Sequence, residues 1–221
     1  MATEATLICT GIRRAYHTEA EVVWALWDVD AAATAGEITV LAGPSGSGKS
    51  TLLRLMAGID RPDEGTIHIG GRDLTAMSAR ARRRFRSKHI GYLFQDPAAN
   101  LLSYLTVWEH LQMAGKIRGH APARELMATL EIDELADEYP SRLSAGQQQR
   151  AALAAAVVAD PDVILVDEPT AELDTLSAQL AVATLGRLRR LGATLVVTSH
   201  DPEVVEVADR VIHLEHGEVK P

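Results

Sequence analysis

The sequence contains little cysteine, few aromatic side chains and no long uncharged stretch, and these shortages exclude several classes of protein. Cys9 is the single cysteine among 221 residues, so the chain forms no internal disulfide. The longest stretches without a charged side chain are residues 97–108 and 175–186, and both are shorter than the roughly 18 apolar residues of a membrane-spanning helix. A secretory signal has a basic segment ahead of an apolar run, and residues 1–16 do not have this pattern. We therefore expect a cytosolic chain that does not itself cross a bilayer.

The remaining composition is that of an ordinary globular domain. Hydrophobic residues make up 47% and charged residues 24% of the chain, and the net charge is −8. This acidic balance disfavours general nucleic-acid binding, so no nucleic-acid partner is expected. One local exception is residues 79–88, which contain six basic side chains and no acidic one. A basic patch for nucleic acid or lipid headgroups is one interpretation, and a solvated helix face is the favoured one.

Hydrophobic patterns divide the chain into a β-rich start, a helical middle and an end in which strands alternate with helices. Alternation over residues 22–29 predicts a strand in a sheet that is covered on both faces. The middle, residues 96–140, lacks strand signals and predicts an inserted helical lobe. The pattern at the end predicts a parallel α/β sheet, with strands at residues 163–166, 193–198 and 211–214 and a helix at residues 175–191.

A glycine-rich segment separates a buried strand predicted at residues 38–42 from a helix predicted at residues 50–57. The segment Gly43-Pro-Ser-Gly-Ser-Gly-Lys-Ser50 fits the phosphate-loop pattern G-x-x-x-x-G-K-[ST] in the strand-to-helix context that supports it. Glycines let backbone N–H groups point at phosphate oxygens, and the helix start adds partial positive charge. We expect Lys49 to reach the β- and γ-phosphates and Ser50 to bind Mg²⁺. The predicted phosphate-binding residues are Gly43, Pro44, Ser45, Gly46, Ser47, Gly48, Lys49, Ser50 and Thr51.

Two adjacent acids follow the predicted strand 163–166. Open α/β sheets bind ligands at the carboxyl ends of their strands, so Asp167 and Glu168 are expected beside the phosphate loop. Asp167 is predicted to hold Mg²⁺, directly or through water, and Glu168 to orient and deprotonate the attacking water. An apolar strand followed by Asp-Glu is a weak signal alone, but in a chain with a phosphate loop it is a strong one.

A third motif, Leu143-Ser-Ala-Gly-Gln-Gln-Gln-Arg150, lies between these two sites in the sequence. Here the chain resembles the ATP-binding-cassette (ABC) ATPases, whose signature reads Leu-Ser-Gly-Gly-Gln, and the resemblance covers nearly the whole chain. Ala145 replaces the first signature glycine, and Ala171 and Glu172 are unusual at the start of the family's D-loop. By motif position the resemblance implies four further site residues, which are Gln95 (Q-loop; catalytic and metal-binding), His200 (γ-phosphate switch), Asp174 (D-loop) and Tyr16 (stacking on adenine).

The signature segment also has a local interpretation. Ser144 followed by Gln147 is a capping box that opens an apolar helix over residues 145–159. A helix N-terminus suits an anion. The resemblance implies that Ser144, Ala145, Gly146 and Gln147 contact the γ-phosphate held by a second subunit, so that two copies pair head to tail.

The resemblance implies an α/β fold of the phosphate-loop NTPase class, with a RecA-like core, an N-terminal antiparallel β subdomain and an inserted helical subdomain. We expect one domain over residues 1–221, in which 1–95 and 160–221 form the core with the β subdomain and about 96–159 form the helical subdomain. The implied cofactors are ATP and Mg²⁺.

The implied function is that of an ATP-hydrolysing transporter subunit, a homodimer at the cytoplasmic face of the membrane that drives a separate integral membrane permease. Residues 16–22, 58–62 and 100–107 resemble the lipoprotein-releasing, macrolide-exporting and FtsE-like branch, although polar amino-acid importers share part of this pattern. The alternative is a soluble ABC ATPase without a transport task, such as cluster assembly. The apolar segment after Gln95 is either lobe core or a groove for a partner helix; the groove is favoured, with Tyr104 as its contact and Trp108 in the core.

Overall fold

The computed structural model describes residues 5–17, 21–119, 124–158 and 160–220. Within these ranges the strands are β1 (Ala5–His17), β2 (Val22–Thr34), β3 (Ile38–Ala42), β4 (Glu64–Ile69), β5 (Arg72–Asp73), β6 (Ile90–Leu93), β7 (Val163–Asp167), β8 (Leu195–Ser199), β9 (Arg210–Glu215) and β10 (Glu218–Lys220). The α-helices are α1 (Lys49–Met56), α2 (Ala79–His89), α3 (Val107–Arg118), α4 (Arg124–Thr129), α5 (Ala145–Val157), α6 (Thr175–Arg190) and α7 (Pro202–Glu206). Among the helices of these described ranges, none has the length and apolar character needed to span a membrane.

The larger sheet is built mostly from parallel strands, as the sequence predicts. Its order is β10-β9-β3-β8-β7-β6, and only the edge pair β9–β10 is antiparallel. β3, β7 and β8 are buried along their whole length. The pairing places Ala42 opposite Ser199 and Asp167 opposite Thr198. The carboxyl ends of these three strands therefore meet at one edge of the sheet.

The smaller sheet is antiparallel, in the order β2-β1-β4-β5. The prediction that residues 22–29 are covered on both faces is wrong, because Val22, Val23, Trp24 and Trp27 are 41–52% exposed. β2 is an edge strand, and the core covers only some of its side chains, such as Leu26 and Val29. Of residues 16–22, which carry part of the resemblance to the macrolide-exporting branch, Tyr16 and His17 belong to β1 and Val22 begins β2; residues 18–20 lie outside the described ranges.

The larger sheet is the middle layer of the molecule. Val40 of β3 belongs to a hydrophobic cluster with Leu111 of α3 and Leu185 of α6, whereas the neighbouring Leu41 belongs to a second cluster with Leu53 of α1 and Leu7 of β1. Because adjacent strand residues point to opposite faces, the sheet is covered by helices on one side and by α1 with the smaller sheet on the other. The helical middle thus shares its hydrophobic interior with the core, and the residue boundaries predicted for the subdomains stay a prediction.

The segment after Gln95 contains both buried and exposed apolar side chains. Trp108 packs against the first hydrophobic cluster, while Tyr104 is 70% exposed. His110, which is 3% exposed, anchors the intervening chain to α3. Its Nε2 accepts a hydrogen bond from the Leu102 backbone N–H, and its Nδ1–H donates to the Thr106 carbonyl oxygen, each at 2.7 Å. The segment 102–106, which presents Tyr104, is therefore fixed to α3 at both of its ends.

We expect His110→Leu to reduce the free energy of unfolding by about 1–3 kcal/mol, because it leaves the Leu102 N–H without its acceptor. His213→Leu is the matched control, since His213 is exposed on β9, and its effect should stay within about 0.5 kcal/mol. Urea unfolding of the two variants makes the comparison. Equal losses would contradict an anchoring role for His110.

Candidate functional site

The phosphate loop joins β3 to α1 through positions that accept only glycine. Gly43 and Gly48 have φ angles of 151° and 102°. A Cβ on Gly43 would lie 2.0 Å from the Leu214 carbonyl oxygen, and a Cβ on Gly48 would lie 2.5 Å from the Ala25 carbonyl oxygen. The loop is therefore pressed against β9 and β2 and leads directly into the first turn of α1.

Lys49, the first residue of α1, connects the loop to the end of β7. Its ammonium group donates hydrogen bonds to the carbonyl oxygens of Gly43 at 2.9 Å and Pro44 at 3.0 Å. The same nitrogen lies 3.3 Å from Oε1 of Glu168, and both side chains are shielded from water, with exposures of 5% and 11%. Because an ammonium has three donors, these three oxygens can satisfy it completely.

Asp167 is the centre of a hydrogen-bond network that joins three elements. Its Oδ1 accepts hydrogen bonds from the hydroxyl groups of Ser50 at 2.9 Å and Thr198 at 2.6 Å. The Thr198 hydroxyl oxygen accepts a hydrogen bond from the Glu168 backbone N–H at 2.9 Å. α1, β7 and β8 are thereby tied together at one carboxylate oxygen. Sequence reasoning assigned no role to Thr198, and the available signal was its position at the end of a strand predicted to be parallel to 163–166.

Glu168 faces Lys49 on one side and His200 on the other. Nδ1 of His200 lies 3.0 Å from Oε2 of Glu168. The Glu168 backbone has a φ of 41°, a conformation that costs of order 1–3 kcal/mol in a residue with a side chain and that is concentrated at functional sites. The Glu168 carboxylate is therefore in contact with two basic side chains at the wall of the site.

The loop that carries Gln95 is closed by Asn100, a residue that sequence reasoning did not place in the site. The Asn100 Oδ1 accepts a hydrogen bond from the Phe94 backbone N–H at 2.8 Å, and its Nδ2 donates to the Phe94 and Asp96 carbonyl oxygens at 3.0 Å each. Gln95 lies between these two anchored residues. Its position is therefore set by side-chain to backbone hydrogen bonds within one short loop.

A cavity of about 290 Å³ lies at this carboxyl edge of the larger sheet. It brings together most of the residues predicted for phosphate, metal and proton chemistry, namely Ser45, Gly46, Gly48, Lys49, Ser50, Thr51, Gln95, Glu168 and His200. Ala25 and Ala171 complete its lining. Three other predicted residues are hydrogen-bonded to residues of the lining: Gly43 and Pro44 accept from Lys49, and Asp167 accepts from Ser50. Ser47 is buried.

The oxygen donors beside the cavity fit a magnesium ion that is bound partly by phosphate. The Ser50 hydroxyl and the Asp167 carboxylate are in direct contact, and both are hard oxygen ligands. In the described part of the chain, no group of three or more His, Cys, Asp or Glu side chains could hold a metal by itself. This donor set suits Mg²⁺, which usually takes one or two protein ligands and completes its shell with phosphate and water.

Tyr16 lies outside the cavity. It is on β1 opposite Val23 of β2, is 40% exposed, and has the Arg14 guanidinium 5.2 Å from its ring centroid. Ala25, two residues beyond Val23 on the same strand, does line the cavity. The Tyr16 ring and the Ala25 part of the cavity wall therefore belong to one pair of strands, and stacking of Tyr16 on adenine stays a prediction.

The signature residues form a separate surface at the start of α5. The capping box is present, since the Ser144 hydroxyl accepts a hydrogen bond from the Gln147 N–H at 3.3 Å and the Gln147 Oε1 accepts one from the Ser144 N–H at 2.9 Å. Ser144 and Ala145 are exposed. None of Ser144, Ala145, Gly146 or Gln147 lines the cavity of its own chain.

Asp174 belongs to this second surface. It caps α6 by accepting hydrogen bonds from the hydroxyl of Ser177 at 2.7 Å and its backbone N–H at 3.1 Å, which lower the pKa of Asp174. A Cβ on Gly146 would lie 2.8 Å from the Ser177 Cβ, so the starts of α5 and α6 are in close contact. The signature residues and Asp174 therefore lie next to each other, at the starts of two helices in contact.

Comparison with known sequences relates this chain to proteins of transporters. The family model described as ABC transporter matches residues 26–171. The macrolide export ATP-binding/permease protein MacB of Salmonella typhimurium is 36% identical over 221 residues, covering 97% of this chain and 34% of its own length. MacB of Escherichia coli strain K12 is 36% identical over 214 residues, covering 94% and 33%. The chain thus spans about a third of the length of these relatives, and the predicted likeness to macrolide exporters is confirmed.

Solved structures match the fold over nearly the whole chain. A dimeric post-hydrolysis structure of the ATP-binding cassette MJ0796 bound to ADP and phosphate has a TM-score of 0.86 and 30% identity, covering 97% of each chain. The structure of cbiO1 from Clostridium perfringens, part of the ABC transporter complex cbiONQ, has a TM-score of 0.84 and 28% identity, covering 99% of this chain and 88% of its own. The predicted fold class is confirmed.

We expect Glu168→Gln to lower the rate of ATP hydrolysis by about 100-fold or more, because the amide keeps the side chain's shape but accepts no proton. ATP should still bind, since the phosphate loop is unchanged. Steady-state hydrolysis and equilibrium binding of a fluorescent ATP analogue separate the two effects. Glu134→Gln removes an exposed acid of the helical middle and serves as the control. Near-normal turnover in Glu168→Gln would remove this residue from the mechanism.

Proposed function

The chain belongs to the ABC transporter family, and from this premise we propose that it hydrolyses ATP as one half of a head-to-tail homodimer that drives a membrane permease. One observation carries the proposal, which is that the signature forms a capped, exposed helix start outside its own chain's cavity. Because a helix N-terminus binds anions, this surface meets a nucleotide phosphate only if a second copy presents one. The dimer of the similar cassette with ADP and phosphate supports this arrangement.

In this proposal the residues of the cavity divide the chemistry between them. Glu168 takes a proton from water as the water oxygen bonds to the γ-phosphorus and the bond to the β–γ bridging oxygen breaks, so that ADP and phosphate are released. Lys49 exchanges its contact with Glu168 for phosphate oxygens, which frees the carboxylate to act as the base. His200, whose side chain is 66% exposed, binds the γ-phosphate.

The remaining predicted residues position the nucleotide. Backbone N–H groups of residues 43 and 45–51 surround the phosphates, and Tyr16 stacks on the adenine. Mg²⁺ held by Ser50, Asp167 and Gln95 would neutralise charge on the phosphates. From the second copy, the contacts come from Ser144, Ala145, Gly146, Gln147 and Asp174.

The shared site can be tested by mixing two inactive variants. We expect Ser144→Arg to bind ATP but not hydrolyse it, because the change is on the signature surface, and Lys49→Ala to lose its phosphate contact. In a heterodimer of the two, one site combines the phosphate loop of the Ser144→Arg chain with the signature of the Lys49→Ala chain. Both of these surfaces are unchanged, whereas the other site carries both substitutions. Mixtures should therefore recover hydrolysis that neither parent shows. If heterodimers form, as measured by native mass spectrometry, and stay inactive, head-to-tail pairing is wrong.

The permease contact is proposed to be the segment that presents Tyr104, at the cytoplasmic face of the membrane. This segment follows the Gln95 loop directly, so a movement at the γ-phosphate reaches it over a short stretch of chain. Tyr104 is exposed, and His110 holds the backbone on either side of it. The permease part in the names of the MacB relatives and the transporter complex of cbiO1 support such a partner.

Tyr104→Asp should abolish co-purification with the permease that mass spectrometry identifies with the wild-type chain, because it places a charge on an apolar contact. Basal ATP hydrolysis and melting temperature should stay near wild type, since Tyr104 is 70% exposed. Leu191→Asp is the control, because Leu191 is 60% exposed at the end of α6. A large drop in melting temperature would place Tyr104 in the core, and wild-type protein that captures no permease would favour a soluble ABC ATPase.

A further inference from the structure

Arginines of α2 surround a second cavity, at the opposite end of α1 from the phosphate loop. This cavity measures about 420 Å³. No acidic side chain is among the described residues that line it. We name it the arginine pocket and define it by Gly58, Ile59, Arg80, Arg82, Arg83 and Arg86.

Two of the four arginines have a structural partner. Nε of Arg82 and Nη1 of Arg86 donate hydrogen bonds to the carbonyl oxygen of Gly58 at 3.0 Å and 2.9 Å. Gly58 follows the end of α1, where free carbonyl groups and the helix dipole favour positive charge. This capping accounts for Arg82 and Arg86 but not for Arg80 and Arg83, which are exposed on the rim of the same cavity.

The positive charge of the pocket is not balanced by the protein. Within the described ranges, none of the four arginines forms an ion pair with a carboxylate. The Nη1 atom of Arg82 is buried and has no hydrogen-bond partner. Burial and the nearby charges of Arg82 and Arg83 lower the pKa of Arg86. Like charges held together with an unsatisfied buried donor are unfavourable, and a bound anion would relieve both conditions.

We propose that the arginine pocket binds a phosphate group. Guanidinium groups present planar pairs of N–H donors that match phosphate oxygens, and several of them together suit the two negative charges of a phosphate better than the single charge of a carboxylate. The phosphate can belong to a soluble phosphorylated molecule or to the headgroup of an anionic phospholipid. The proposal uses none of the residues of the ATP cavity, so it stands apart from the proposed function.

The first test measures pyrophosphate binding by calorimetry, with the phosphate-loop cavity filled by ADP. The test variant is Arg80→Gln/Arg83→Gln, which leaves the two contacts to Gly58 in place and so preserves the fold. The control is Arg84→Gln/Lys88→Gln, which removes the same charge from exposed positions of α2 outside the pocket. We expect the test variant to bind pyrophosphate at least about 10-fold more weakly than wild type, and the control to bind within about 2-fold.

The second test separates the two sources of the phosphate by co-sedimentation with vesicles of phosphatidic acid in phosphatidylcholine, compared with phosphatidylcholine alone. Vesicle binding that is lost in the test variant and kept in the control assigns the pocket to a lipid headgroup. Pyrophosphate binding with the same variant pattern, but without vesicle binding, assigns it to a soluble molecule.

Two results would overturn the proposal. They are wild-type protein that binds neither phosphate probe, and a test variant that binds both probes as wild type does. In the first case, binding of a hexaglutamate peptide through Arg80 and Arg83 would assign the pocket to an acidic protein segment instead. ATP hydrolysis measured on the same variants should equal the wild-type rate, so a failure here is distinguishable from a failure of the proposed function.

Discussion

The register between β7 and β8 is the constraint on which the rest of the site depends, because it places Asp167 opposite Thr198. Both faces of β7 are apolar and buried, so the hydrophobic residues alone specify the register weakly. The buried hydrogen bond from Thr198 to Asp167 and the partly buried one from Ser50 provide the specificity, since a slip of one residue would leave these polar groups without partners. The same bonds hold α1 against the sheet and bring the phosphate loop to the acids.

The charges at this edge are arranged so that a phosphate can replace a partner already present. Lys49 is satisfied by two loop carbonyls and by Glu168, which lies at the wall of the cavity. A buried ammonium without an anion would be strongly unfavourable. In the proposed function a phosphate takes the place of Glu168 beside Lys49, so that the ammonium stays paired and the carboxylate becomes available to a water molecule. Under this proposal, nucleotide binding and activation of the base are one event.

α1 connects the phosphate loop with the arginine pocket, the second region for which an anion is proposed. Its start carries Lys49 beneath the phosphate loop, and its end carries the Gly58 carbonyl that Arg82 and Arg86 bind. A helix dipole favours an anion directly at the start, whereas at the end it favours cations, and those cations can then attract an anion of their own. One short helix thus has an anion-favouring start at the phosphate loop and, beyond its other end, a carbonyl group that two arginines bind.

The sequence by itself determined the features that arise within a few residues. The strand Ile38–Ala42, the phosphate loop and the Ser144–Gln147 capping box all follow from local hydrogen bonds and backbone preferences, and all were predicted. Only the tertiary structure decided which distant residues meet. The Thr198 hydroxyl reaches Asp167 across 31 residues, and Arg82 reaches Gly58 across 24. An apolar strand pattern does not distinguish an edge strand from a central one, so the exposure of Trp24 was missed, because exposure depends on what packs against the strand and not on the strand's own residues.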